Sequence, residues 1–192
     1  MTAWERRLLI DNGWIFLTSQ AGDPTTDYVT TAPCEVLIVA PAATNEGLAP
    51  DPNHITALAE VLKNVWPGEG GKPHYLRSVR TVRELDNALR GQRPHLVYVY
   101  GHTMTKKGQP CLLFDSGQGS EPLPLSELAQ LFQRDQHPPA VLYLNTHSPA
   151  DINFAQLFGD IVPLVIGRCL SRWQNDSCAL ATHWLSSWLR RR

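Results

Sequence analysis

Along most of the chain, short continuous apolar runs alternate with segments whose apolar residues recur every three or four positions. "EVLIVAPAA" (35–43), "HYLRSV" (74–79), "HLVYVYGH" (95–102), "AVLYLNTH" (140–147) and "VPLVIGRC" (162–169) are of the first kind. Runs of this type fit strands, and the continuously apolar ones fit strands buried on both faces. "DPNHITALAEVLKNVW" (51–66) spaces Ile55, Leu58, Ala59, Leu62 and Val65 as an amphipathic helix does, with Asn53 or Asp51 as its cap. "TVRELDNALRG" (81–91) opens on Thr81 with Glu84 three residues on, a capping box, and closes on Gly91. "LPLSELAQLFQRD" (123–135), capped by Ser126 or an earlier residue, "ADINFAQLFGD" (150–160) and "NDSCALATHWLSSWLRR" (175–191) complete the helices. "PGEGGKP" (67–73) breaks the pattern as a loop, and "PCLLFDSG" (110–117) reads as part of a hairpin appended to the third strand. Repeated strand–helix alternation predicts an α/β fold: a mostly parallel sheet of about five or six strands with helices on both faces.

Composition narrows the function. A chain of 192 residues, 43% hydrophobic, fills one globular core. Seventeen basic against 18 acidic residues give a net charge of −1, without the basic excess of a direct nucleic-acid binder. The one basic cluster is Arg190-Arg191-Arg192. No apolar run approaches the roughly 20 residues of a membrane span, and the N-terminus lacks the apolar core of a signal peptide, so no membrane association is expected. Cys34, Cys111, Cys169 and Cys178 are scattered without a CxxC pair, which suits reduced thiols of a cytoplasmic protein. No cofactor is expected.

The chemically capable residues gather at strand ends. In parallel sheets, sites lie outside the carboxyl ends of the strands. Gly101-His102 ends the third run and Asn145-Thr146-His147-Ser148 ends the fourth, with Asp151 close behind. As parallel neighbours, the two strands would deliver both groups to one edge.

In this order the motifs resemble the CHAT domain, a caspase-like module of the clan CD cysteine peptidases, similar also to separase. They are "VYVYGHTM", a hairpin with "LLFDSG", "PLPLSELAQLF", "PPAVLYLNTH", a helix, "PLVIGRC" and a terminal helix. Each motif alone is weak; their order and spacing carry the resemblance, which covers roughly residues 35 to 190. It implies a caspase-like three-layer sandwich over residues 35–192, preceded by an extension or linker over residues 1–34. His102 falls on the family's catalytic histidine, which polarises or deprotonates the thiol or protonates the leaving amine. Gly101 would let the backbone turn there, and the amides of Gly101 and His102 would help hold an oxyanion. Asn145-Thr146-His147 falls on Asn-Ala-Cys, so His147 stands at the nucleophile position. An imidazole does not form the acyl-thioester of this chemistry.

The resemblance therefore implies a pseudoprotease: a scaffold or regulatory, peptide-binding module of a bacterial conflict or anti-phage defence system. Its partner would be a protein or peptide, such as a sensor or repeat-containing protein. Other chemistries stay open. One is an active cysteine endopeptidase whose nucleophile is missing from this chain. Another is a metal-dependent hydrolase using His102 and His147, with Asp151 as a third ligand. A serine enzyme using Ser148 ranks last, because adjacent strand residues point to opposite faces. The loop "RCLSRWQND" (168–176) corresponds to the region lining the family's substrate pocket, and Arg168, Arg172 and Trp173 would bind an acidic or aromatic side chain there.

Overall fold

The apolar runs form strands, and most of them join one sheet. The structure, a computed structural model, describes residues 14–18, 35–41, 52–65, 76–92, 94–134, 138–146, 157–159 and 161–168. The strands are β1 (Trp14–Thr18), β2 (Val36–Val39), β3 (Leu76–Val79), β4 (Leu96–Gly101), β5 (Thr103–Lys106), β6 (Gln109–Asp115), β7 (Ser120–Pro124), β8 (Val141–Thr146) and β9 (Leu164–Arg168). The helices are α1 (Pro52–Val65), α2 (Val82–Gln92) and α3 (Leu125–Gln133), and residues 157–159 form a helical turn. Six strands make the main sheet in the order β1-β9-β8-β4-β2-β3. Five of them are parallel, and β1 closes one edge antiparallel to β9. In chain order the parallel strands stand second, first, third, fourth, fifth, the doubly wound arrangement. The fold is α/β, as the alternating pattern predicts.

Burial explains why the strands are continuously apolar. β2 and β8 are buried along their whole lengths. Successive side chains serve opposite faces. Leu37, Val39, Val97, Val99, Leu142, Leu144 and Val165 pack with Leu85 and Ala88 of α2, Leu128 and Phe132 of α3, and Phe158. On the other face, Val36, Ile38, Leu96, Tyr98, Val141, Tyr143 and Ile166 pack with Leu58 and Ile55 of α1. Each such buried aliphatic or aromatic side chain contributes about 1.5–3 kcal/mol relative to exposure. Helices thus cover both faces.

A second, three-stranded antiparallel sheet, β5-β6-β7, grows directly out of β4. Lys107 and Gly108, both at positive φ (51° and 78°), turn β5 into β6. A two-residue turn with both residues left-handed matches the twist of its strands. At α2 the capping box forms: the Glu84 amide donates to Thr81 Oγ1 (3.1 Å), and Glu84 Oε2 accepts from the amides of Thr81 (3.1 Å) and Arg80 (2.8 Å).

Several expectations change in detail. Trp14–Thr18 lies within residues 1–34, the expected extension or linker outside the resemblance, yet it pairs along β9 from Trp14 opposite Arg168 to Thr18 opposite Leu164. Gly91 does not follow α2 but lies in its last turn, which runs to Gln92. Residues 123–124 belong to β7, not to the next helix, and α3 is capped by Pro124 with no side-chain hydrogen bond; Ser126 lies inside its first turn. Of the helix expected over 150–160 only 157–159 is described, and the helix expected over 175–191 lies outside the described residues. Cys34, Cys169 and Cys178 also lie outside them, while Cys111 is a buried free thiol on β6. Among the described residues, no helix is long and apolar enough to cross a membrane.

Candidate functional site at the carboxyl ends of β4 and β8

Register decides what shares this edge. β4 and β8 pair in parallel, with Tyr98 opposite Tyr143, Tyr100 opposite Asn145 and Gly101 opposite Thr146. The two strand ends therefore reach the same edge at the same height, as expected for neighbours. His102 is the single residue between β4 and β5. Its carbonyl accepts a hydrogen bond from the Leu113 amide (3.0 Å), which anchors the small sheet to the end of β4. A second anchor lies at Arg80, whose carbonyl accepts from the Asp115 amide (3.1 Å) and whose guanidinium pairs with the Asp115 carboxylate (2.9 Å). The His102 imidazole is half-buried, and loss of solvent holds its pKa below the ordinary 6.5. At neutral pH it is an uncharged base and hydrogen-bonding group.

Gly101 has a different reason to be glycine from the one expected. Its φ is not left-handed; among the described residues the glycines at positive φ are Gly108, Gly117 and Gly119. What it supplies is space. A Cβ at Gly101 would stand 3.1 Å from both Cγ and Cδ of Pro41, the second residue after β2, and 3.4 Å from Leu112 Cδ1. A side chain would push the end of β4 off its neighbours on both sides.

Beneath the edge lies a buried polar network that the sequence pattern did not reveal. Asn145 Nδ2 donates to the Tyr98 hydroxyl (2.8 Å), which shares a 2.5 Å hydrogen bond with Nε2 of His54 on α1. Asn145 is 1% and His54 2% exposed, so each group depends on the others. Removing one buried partner costs about 1–3 kcal/mol. The His54 ring packs 4.4 Å from that of Tyr100, and Tyr98 stacks on Tyr143 at 5.1 Å. The network ties the last turn of β8 to β4 and to α1. One signal was available: an asparagine near the end of a buried, mostly apolar strand must find a partner, and tyrosines at alternate positions of β4 offer hydroxyls.

The other residues singled out divide as follows. Arg168 ends β9, one position beyond the Leu144–Gly167 pair, and so shares the edge with Asn145. His147, Ser148, Asp151, Arg172 and Trp173 lie outside the described residues. Among the described residues, no group of three histidine, cysteine, aspartate or glutamate side chains could hold a metal ion. A groove of about 950 Å³ opens between α2, α3 and the tip of the small sheet, away from His102. Two of its carboxylates are already paired, Asp86 with Arg90 (2.7 Å) and Asp115 with Arg80. No protein-family model matches the chain, and no curated protein matches it.

Proposed function

We propose that the chain is a caspase-like CHAT domain, a three-layer sandwich, whose nucleophile position holds His147 in place of cysteine. On this reading it is a pseudoprotease: a cytoplasmic scaffold or peptide-binding regulator of a bacterial conflict or defence system, recruited by a protein partner such as a sensor. The observation that carries the reading is the parallel register of Gly101 with Thr146, the residues that directly precede positions 102 and 147 in the chain. Further support comes from the antiparallel sheet inserted after His102 and from the neutral, half-buried imidazole. Arg168, Arg172 and Trp173 are the residues to which the resemblance gives the binding of a peptide side chain.

The test is cleavage of a peptide library by the purified chain and by His147→Cys, each with and without chelator. The expected result is an inactive wild type and a variant that cleaves regardless of chelator. Chelator-sensitive cleavage by the wild type would make the chain a metal-dependent hydrolase instead. Chelator-insensitive cleavage by the wild type would show that a nucleophile other than residue 147 is at work.

A further inference from the structure

The small sheet has two edges, and they are built differently. The bond from the Leu113 amide to the His102 carbonyl shows that position 113 turns its main-chain groups toward β5. Antiparallel pairs alternate between bonded and unbonded positions. Cys111 therefore also faces β5, where it meets Met104, while Leu112 and Phe114 face β7, where they meet Leu123 and Glu121. It follows that Pro122 and Pro124 of β7 stand where the amides would point outward, and neither has an N–H to offer. That edge is blocked, as edge prolines generally block pairing.

Among the described residues the β5 edge is not blocked. By the same alternation Thr103 and Thr105 turn their N–H and C=O outward. Among the described residues no strand pairs with this side, and no further backbone bond reaches either threonine. Thr105, Lys106 and Lys107 are exposed, and Met104 is 41% exposed. The Thr103 hydroxyl is buried with no hydrogen-bond partner among the described residues. The row begins one residue after His102.

A row of alternating outward donors and acceptors is complementary to one thing, another extended backbone. We propose that the open edge of β5 binds an extended peptide antiparallel to Thr103–Lys106, with an acidic side chain against Lys106 and Lys107. Antiparallel addition continues the pattern of this sheet. The acidic residue then lies four positions before the one beside His102, about 13 Å away at strand rise. Charge complementarity sets its sign: no ion pair engages either lysine among the described residues. The proposal deepens the peptide-binding reading of the strand ends and rests on it for the role of His102.

The experiment uses the whole chain, labelled with nitrogen-15, and the probe acetyl-Glu-Val-Thr-Val-Thr-amide. Its two valines would meet Thr105 and Thr103. Amide hydrogen exchange at Thr103 and Thr105 is expected to slow about tenfold at saturating peptide. A probe N-methylated at both valines should give no slowing. Replacing its glutamate by lysine should weaken binding about two- to fivefold, the scale of an exposed ion pair. Thr105→Pro removes an outward amide but no ladder donor, so it should abolish the slowing with the melting temperature unchanged. If that variant does not fold, the N-methylated probe decides alone. No slowing at millimolar peptide, equal slowing with the N-methylated probe, or slowing along β7 instead would overturn the proposal. Slowed amides with an inert His147→Cys would keep strand addition and discard the lost-nucleophile reading; restored cleavage with unslowed amides would do the reverse.

Discussion

At Gly101 the absence of a Cβ lets β4 approach the residues beyond β2 closely. The nearest obstacle is a proline ring, which has little freedom to move aside. Gly101→Ala should therefore destabilise the fold by about 1–3 kcal/mol, the usual range for overpacking. A urea midpoint equal to wild type would show that Pro41 yields. His102 next door carries a pH signature. Its pKa is depressed by burial, so as pH falls below 6.5 the unfolded chain takes up a proton before the folded one does. Stability should fall between pH 6.5 and the folded value and level off below it. A His102→Asn variant should lack that component in urea midpoints measured from pH 8 to 5. In the folded protein the imidazole resonance of His102 should titrate below 6.5. The same scale shows where sequence reading stops. That His102 follows directly on a strand is legible from the five apolar residues Leu96–Tyr100 ahead of Gly101, a local pattern. That Asn145, Tyr98 and His54 form one network depends on side chains 44 and 47 residues apart, which no local pattern records.

Elements were legible where their chemistry is local. The capping box at α2 needs only Thr81 and Glu84, three residues apart, and it forms as expected. Thr81→Ala should cost about 1 kcal/mol. Glu84 adds a pH dependence. The amides of Arg80 and then Thr81 hold its carboxylate below the ordinary 4.5. Its stabilisation is thus fully present above pH 4.5 and lost as pH falls through the folded value. Glu84→Gln keeps an acceptor and loses the charge, so the difference between wild type and variant should close on acidification; a constant gap in melting temperature from pH 7 to 3 would argue against this cap. Strands buried on both faces were equally plain, because continuous burial demands continuous apolar sequence. β7 was not plain. "SEPLP" carries two prolines, which argue against a strand, and it is one only because its prolines sit on the unpaired side.

At the scale of the molecule, the sequence pattern delivers the parallel sheet and misses its border. β1 is read as extension because "WIFLT" joins β9 from about 150 residues away, a pairing set by topology and not by any neighbour in the chain. Removing residues 1–18 should leave β9 as a bare edge, with lowered stability and self-association by sedimentation velocity. Stability and sedimentation equal to those of the full chain would show that the edge is covered by other means. The two sheets are joined along the chain by one residue, His102. β4 ends at Gly101, β5 begins at Thr103, and Leu113 and Asp115 clip the small sheet at His102 and Arg80. The peptide unit that carries the imidazole is therefore shared by both sheets, and with Leu112 and Phe114 buried in the main core the small sheet buttresses His102 from the side opposite β4.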